Sequence, residues 1–158
     1  MSFMQPLGVS DGDGLYLQNQ DGTMLSHAAI SIGDVLSVDT SVVSNGRFTT
    51  VKTPAAADIT SLGAITKGIF CVALTSASAA GQKIRVRFAG TVDASISGTP
   101  ASGAYVIPTT GKQLAITAAA ANNGNTVVGM MIDTGVNNAV KKVMFNGFGM
   151  AQNLTNTT

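Results

Sequence analysis

The sequence predicts an all-β domain, a small sandwich or partly closed barrel of about eight to nine short strands with one short helix and extended terminal arms. Three observations carry that prediction. Short apolar runs are separated by Gly, Asn and Asp turn signals; one segment alternates strictly between apolar and polar residues; and only one segment carries helix-start signals. The composition agrees, with no Glu, no Trp, one His and one Cys, while Ala, Gly, Ser and Thr fill nearly half of the positions.

Residues 1–30 show no sustained periodicity. Met1 to Val9 is apolar and contains Pro6 and Gly8, and the Asp11-Gly12-Asp13-Gly14 and Asp21-Gly22 pairs are turn signals, so an arm is expected, followed by a loop or short hairpin near Leu15-Tyr16-Leu17. From Asp34 to Val43 the pattern is strand-like, with Leu36, Val38, Thr40 and Val42 on one face. Asn45-Gly46 then fits a tight hairpin turn into Arg47 to Thr53.

Thr53-Pro54-Ala55-Ala56-Ala57-Asp58 reads as a helix start. A hydroxyl N-cap, a proline in the first turn and an acid near the positive end of the helix dipole are all present, and Gly63 ends the helix after about two turns. Ala118 to Ala121 can make a further short turn.

Gly68 to Leu74 reads as a buried strand, and Thr75 to Gly81 as a small-residue connection. Lys83 to Val92 is the alternator: Ile84, Val86, Phe88 and Val92 point one way, Arg85, Arg87 and Thr91 the other. The apolar set must line the core, which leaves the two arginines to solvent or a partner. Ala104 to Pro108 and Lys112 to Thr117 are short strands around the Thr109-Thr110-Gly111 turn. Gly129 to Ile132 and Lys141 to Gly147 then echo the earlier strand pair, with Phe88-Ala89-Gly90 matched by Phe145-Asn146-Gly147. Two such copies fit two related hairpins in one barrel or sandwich, not a solenoid. The expected organisation is an N-terminal arm and loop over 1–30, a single β domain over 31–150, and a polar C-terminal tail over 151–158.

Charge limits the partners. Only 11% of residues are charged and the net charge is +1, too little to attract nucleic acid or an anionic membrane. The distribution is uneven: residues 1–46 hold five Asp and no base, whereas residues 47–158 hold nine bases and three Asp, giving −5 and +6. An acidic front can therefore lie on a basic body, in its own chain or a neighbour's. A surface this poor in charge is expected to be covered by other copies or by a partner. The first basic residue is Arg47, so no secretory n-region is expected, and no apolar stretch approaches the roughly 20 residues of a spanning helix. Synthesis in a cytosol is the expectation.

No motif points to catalysis, a metal or a cofactor. Ser26 beside His27 in a loop lacks any sign of a third group, and a hydrogen-bonded loop histidine is the simpler reading. Counting Asp11 as position 1 of a calcium loop puts Leu15 at position 5 and Gly22 at position 12, where oxygen ligands are needed. One Cys cannot hold a metal through thiolates or close a disulfide, and Cys71 sits in an apolar run as a small hydrophobe. The glycines serve turns and lack a Gly-Lys-Ser/Thr phosphate loop. No enzymatic activity and no cofactor are expected.

The runs Lys67-Gly68-Ile69-Phe70-Cys71-Val72-Ala73-Leu74 and Ala80-Gly81-Gln82-Lys83-Ile84-Arg85-Val86-Arg87-Phe88-Ala89-Gly90-Thr91-Val92, with Gly103-Ala104-Tyr105-Val106 and Val128 to Ile132, form a pattern. It resembles the capsid cement, or head decoration, proteins of tailed bacteriophages over residues 34–148. The sequence departs from that pattern at Gln82, where an acid is expected, and over residues 1–30. The resemblance implies a β-rich protein, commonly a homotrimer, on the outer surface of the mature capsid, clamping neighbouring major capsid subunits. On that reading, Phe3, Met4, Pro6 and Leu7 form an uncharged apolar arm for capsid grooves, and Arg85, Arg87 and Lys142 make polar contacts with the capsid or the next subunit. The alternative is a phage tail or baseplate module that binds host glycans. It would need aromatic platforms, and the chain has only two Tyr, six Phe and no Trp.

Overall fold

The computed structural model describes residues 7–10, 14–59, 68–116, 123–149 and 151–154. Phe3, Met4, Pro6, Asp11, Asp13, the expected helix stop at Gly63 and the expected turn at Ala118 to Ala121 lie outside the described residues.

The chain enters as a hairpin of β1 (Leu7–Ser10) and β2 (Gly14–Leu17). It continues through β3 (Gln20–Leu25), β4 (Val35–Val38), β5 (Val43–Ser44), β6 (Arg47–Phe48), β7 (Val51–Lys52) and the single turn of helix α1 (Ala56–Ile59). Next come β8 (Phe70–Ala73), β9 (Lys83–Ile96), β10 (Tyr105–Pro108) and β11 (Leu114–Ile116). The last four strands are β12 (Asn123–Val127), β13 (Gly129–Met131), β14 (Ala139–Asn146) and β15 (Ala151–Leu154).

Nine of these strands form one sheet, in the order β11-β10-β13-β14-β9-β8-β4-β7, with β3 also paired to β9. A parallel contact between Leu114 and Ile96 joins β11 back to β9, so β11, β10, β13, β14 and β9 close into a five-stranded barrel. The all-β class is the one predicted; of the two expected architectures, sandwich or partly closed barrel, the barrel is observed, and the described residues form fifteen strands where about eight or nine were expected, because the ribbons outside the main sheet add six. The other six strands make three two-stranded ribbons, β1–β2, β5–β6 and β12–β15.

Two cores lie beneath this sheet. The barrel interior holds Val92, Ala94, Ile96, Val106, Leu114, Val128, Met131, Val143 and Phe145, capped by Val35, Ile59, Phe70 and Val72. A second core collects Met24, Ile30, Leu36, Val38, Val51, Cys71, Ala73, Ala77, Ile84 and Val86. Strands β4 and β8 stand between the two, sending alternate residues to each, and all eight of their residues are buried. This is why Ile69 to Leu74 reads as an unbroken apolar run: a strand covered on both faces has no polar side.

β9 serves both cores in turn. Ile84 and Val86 enter the second core, while Val92, Ala94 and Ile96 enter the barrel, and the strand passes from one to the other at Gly90, whose φ is 123°. The alternation predicted for Lys83 to Val92 holds, but it feeds two cores and not one. Phe88 is only half-buried at the bend, packed against the second core and against the exposed Phe148 ring, 6.1 Å away centre to centre.

The two Phe-x-Gly triplets meet each other. Ala89 lies opposite Asn146 and Gly90 opposite Phe145 across β9 and β14, and the Gly147 N–H donates to the Phe88 carbonyl at 2.7 Å. The two related strand pairs, β8–β9 and β13–β14, are thus joined through their repeated ends.

Several expectations are corrected. The segment expected as arm and loop up to residue 30 includes β3, paired with β9 from Gln20↔Ala89 to Leu25↔Lys83, with Met24 and Ile30 buried. The strand carries no periodic signal in the sequence, because Gln20-Asp21-Gly22-Thr23 is polar and glycine-containing and only Met24 turns into the core. The predicted strand from Asp34 to Val43 ends at Val38: Thr40 and Val42 are exposed, and β4 pairs with β7 while β5 and β6 form a separate ribbon beyond them. That ribbon turns at Asn45-Gly46 as predicted, with φ of 51° and 71°.

Thr53 does not cap α1. Its backbone N–H and hydroxyl both meet His27 Nε2, at 3.2 and 3.0 Å, and Asp58 Oδ2 instead accepts from the Ala55 N–H at 2.8 Å. The helix begins two residues later than the cap reading required. The C-terminal tail is also not free over its first half, since β15 pairs with β12 from Val127↔Ala151 to Asn123↔Leu154.

Candidate interaction surfaces

Antiparallel register places the outward side chains of the barrel in rows, because directly opposed residues share a face. One row runs Tyr105, Met130, Met144 and Thr91; the next holds Lys142 opposite Asp93; a third holds Val140 opposite Ser95. Tyr105, Val140 and the neighbouring Ile132 and Ile32 are exposed large hydrophobics. The barrel therefore carries an outward strip of apolar side chains with Lys142 and Asp93 set among them.

An open groove of about 400 Å³ adjoins this strip, lined by Ile32, Leu74, Arg87, Thr91, Asp93 and Lys142, among others. Two of the three predicted polar contact residues, Arg87 and Lys142, thus meet at one site. Arg85 does not line it.

The arginines differ in their engagement. Arg87 Nε donates to Asp21 Oδ1 at 2.7 Å and its Nη2 to Oδ2 at 3.0 Å, while Nη1 donates to the Thr91 carbonyl at 2.7 Å. Asp21 sits directly across from Arg87 in the β3–β9 register. The bidentate Arg87 fork holds the Asp21 carboxyl below the usual carboxylate range, with Arg87 and Arg85 adding their charge, and the same pair raises Arg87. Arg85 reaches Asp21 only at 3.5 Å, with 64% of its side chain exposed.

The expectation that these arginines meet solvent or a partner is met by Arg85, whereas Arg87 is engaged within the chain. Asp21 also joins the acidic front to the basic body, as does Asp34, 3.2 Å from Lys112. Lys142 is exposed and has no ion partner among the described residues; its backbone N–H donates to Asp133 Oδ2 at 3.3 Å. Of the proposed arm, only Leu7 is described, as the first residue of β1.

The Asp21 pairing sets an acid dependence. A carboxyl whose folded pKa is depressed adds stability above its unfolded value, near 3.8, and loses it as pH falls through the folded value. Asp21→Asn is expected to lower stability by about 1 kcal/mol at pH 7, the scale of a partly exposed bidentate pair. The gap between wild type and variant should narrow as the pH falls below 3.8 and through the depressed folded value, as the wild-type carboxyl is protonated. Urea denaturation from pH 7 to pH 2.5 measures this, and a gap independent of pH would contradict it.

Ser26 and His27 face different partners. Ser26 Oγ donates to the Ala79 carbonyl at 2.7 Å and accepts from the Gln82 N–H at 3.1 Å, whereas the His27 ring faces Thr53 and its Nδ1 is buried without a partner among the described residues. Gln82 Oε1 accepts from the Ser78 N–H at 2.7 Å, closing the turn as a carboxylate would. Cys71 is fully buried, and desolvation pushes its thiol pKa up, away from reactivity. Among the described residues no helix is long and apolar enough to cross a membrane.

No protein-family model matches the chain, and no curated protein matches it. Among solved structures, the head fiber gp8.5 N base of bacteriophage phi29 is similar, with a TM-score of 0.54 over 85% of this chain and 99% of that one, at 11% identity. What the two share is the fold.

Proposed function

We propose that the protein is a structural virion protein that decorates the assembled bacteriophage capsid on its outer surface, without enzymatic activity, and stabilises it by clamping neighbouring major capsid subunits as a homotrimer. The observation that carries the reading is the shared fold: nearly the whole of a phage head fiber base superposes on 85% of this chain. The resemblance of residues 34–148 to capsid cement proteins points the same way. The outward strip around Tyr105, Met144 and Val140 supports the self-association that the reading requires, since such a surface is stabilised when covered. A protein that binds only the assembled shell stabilises it by mass action, and several contacts per trimer add avidity.

Sedimentation with expanded shells of the cognate major capsid protein tests this. The protein should co-sediment with shells and not with unassembled subunits, raise the temperature at which shells rupture, and scatter light as three chains in solution. Phe3→Asp should weaken retention on shells while leaving the thermal unfolding of the free protein unchanged. Shells that take up no protein would overturn the proposal.

A further inference from the structure

The ion pairs of the chain leave a specific surplus. Asp21 serves Arg85 and Arg87, Asp34 serves Lys112, and Asp58 serves Lys52 at 3.3 Å. Arg47, Lys83, Lys141 and Lys142 have no ion partner among the described residues. Two of these, Arg47 and Lys83, line one groove of about 290 Å³, together with Thr23, Leu25, Phe48 and Thr49, and no acid lines it.

That groove follows an open sheet edge. The Ser26 N–H donates to Gln82, the residue before β9, whereas the Leu25 N–H turns the other way and donates to the Thr49 carbonyl at 2.8 Å. Backbone direction alternates along a strand, so Thr23, like Leu25, turns its N–H and carbonyl away from β9. At Leu25 the neighbouring position is filled by the bridge to Thr50, but at Thr23 no described strand meets the edge. Beside it stands the β5–β6 ribbon, exposed throughout, with Val43 and Phe48 opposed on one face at 59% and 46% exposure. Its base is fixed by Asp39, which accepts from the Ser41 N–H at 3.0 Å and from its hydroxyl at 2.6 Å.

We infer that this groove receives an extended, carboxylate-bearing segment of the shell protein, which adds a strand beside Thr23 and sets its acids between Arg47 and Lys83. The inference rests on the proposed capsid role for the source of the segment. The groove itself states the chemistry: an edge for main-chain bonds, the Phe48 and Leu25 side chains for an apolar residue, and two cations with no carboxylate of their own. Of the described Asp residues, Asp21, Asp34 and Asp58 are held in ion pairs, Asp39 accepts from Ser41, Asp133 accepts from the Lys142 N–H and Asp93 lines the other groove; none lines this one, so charge complementarity points to carboxylates brought by a second protein.

The first test titrates the ¹⁵N-labelled full chain with an acetylated, amidated peptide of three Asp-Val repeats. The amides of Thr23, Leu25 and Thr49 should shift saturably and the Thr23 amide should gain exchange protection, while a peptide of three Lys-Val repeats leaves them unmoved. Arg47→Asp with Lys83→Asp should weaken the acidic peptide about ten-fold. Thr23→Pro leaves all charges in place and costs the body no ladder bond, since its N–H faces outward, and it should abolish the added strand. Equal response to both peptides, or unchanged binding in either variant, would overturn the inference.

The second test places the variants on expanded shells. Wild type retained, with both variants lost about ten-fold more readily, is the expected result. Wild type and variants retained equally would overturn the groove as the docking site while the capsid role stands. Shells that take up no wild-type protein would overturn the capsid role and the shell segment together, leaving the peptide titration to decide the groove alone.

Discussion

Gly147→Ala is expected to cost about 4 kcal/mol, near the upper end for a single substitution and enough to leave a domain of ordinary stability marginal. Three strands meet at this residue. Its N–H donates to the Phe88 carbonyl at 2.7 Å, and its own carbonyl accepts from the Phe70 N–H at 2.9 Å. An added Cβ would fall on the Phe70 carbonyl, which is backbone and not a side chain that can swing aside. Relief requires β8 to move away from β14, and Phe70 would leave the barrel core with it.

Gly98→Ala provides the comparison, since Gly98 has φ +77° but nothing within 4 Å of a Cβ. It isolates the conformational cost, about 1 kcal/mol. Urea denaturation of the two variants separates close approach from backbone strain. A Gly147→Ala loss no larger than that of Gly98→Ala would mean that the crossing of the strands is not as tight as described.

The second large effect is expected at Phe145. The ring is fully buried in the barrel, in the strand that pairs with both β9 and β13, so its loss removes contacts to both sides of the closed ring of strands. Phe145→Ala should cost about 3–5 kcal/mol, the sum of lost burial and the cavity left in a core that the closed barrel prevents from collapsing. For a chain of this size that is a fall in Tm of about 10–15 °C. Phe148→Ala, at an aromatic 60% exposed, should change stability by less than about 1 kcal/mol. Calorimetry of the pair reads both, and equal losses would contradict the placement of Phe145 at the centre of the core.

The repeated Phe-x-Gly triplet shows how much of this could be read in advance. The sequence exposes the repeat, and the structure supplies its physical cause: Gly90 takes φ 123° and lies against Asn19, while Gly147 lies against Phe70. Both positions exclude a side chain, for reasons of different kinds, and neither reason has a signature in the triplet. The aromatic residues diverge as well, since Phe145 fills the barrel while Phe88 is half-buried beside the second core.

Among the candidate contact residues, Arg85 and Arg87 were legible as the polar side of an alternating strand, and Lys142 only through the resemblance to capsid cement proteins. That Asp21 would claim Arg87 was not, because the two lie 66 residues apart and β3 was hidden in a polar segment. Arg47 and Lys83 carry no sequence signal of a shared site, for a related reason. Each is an ordinary exposed base at the end of a strand, and only the approach of the β5–β6 ribbon to β3 gives them a common groove.

The sequence by itself determined what is local: the Asn45-Gly46 turn, the alternation of β9, the double-sided burial of β8 and the all-β class. These follow from backbone preferences and from the period of the pleat, which act within a few residues. Only the tertiary structure decided that β11 closes onto β9, that the even-numbered residues of β9 serve two cores, and which cations keep no partner. Those outcomes depend on which strands become neighbours, a choice made by the packing of the whole sheet and carried by no short stretch of it.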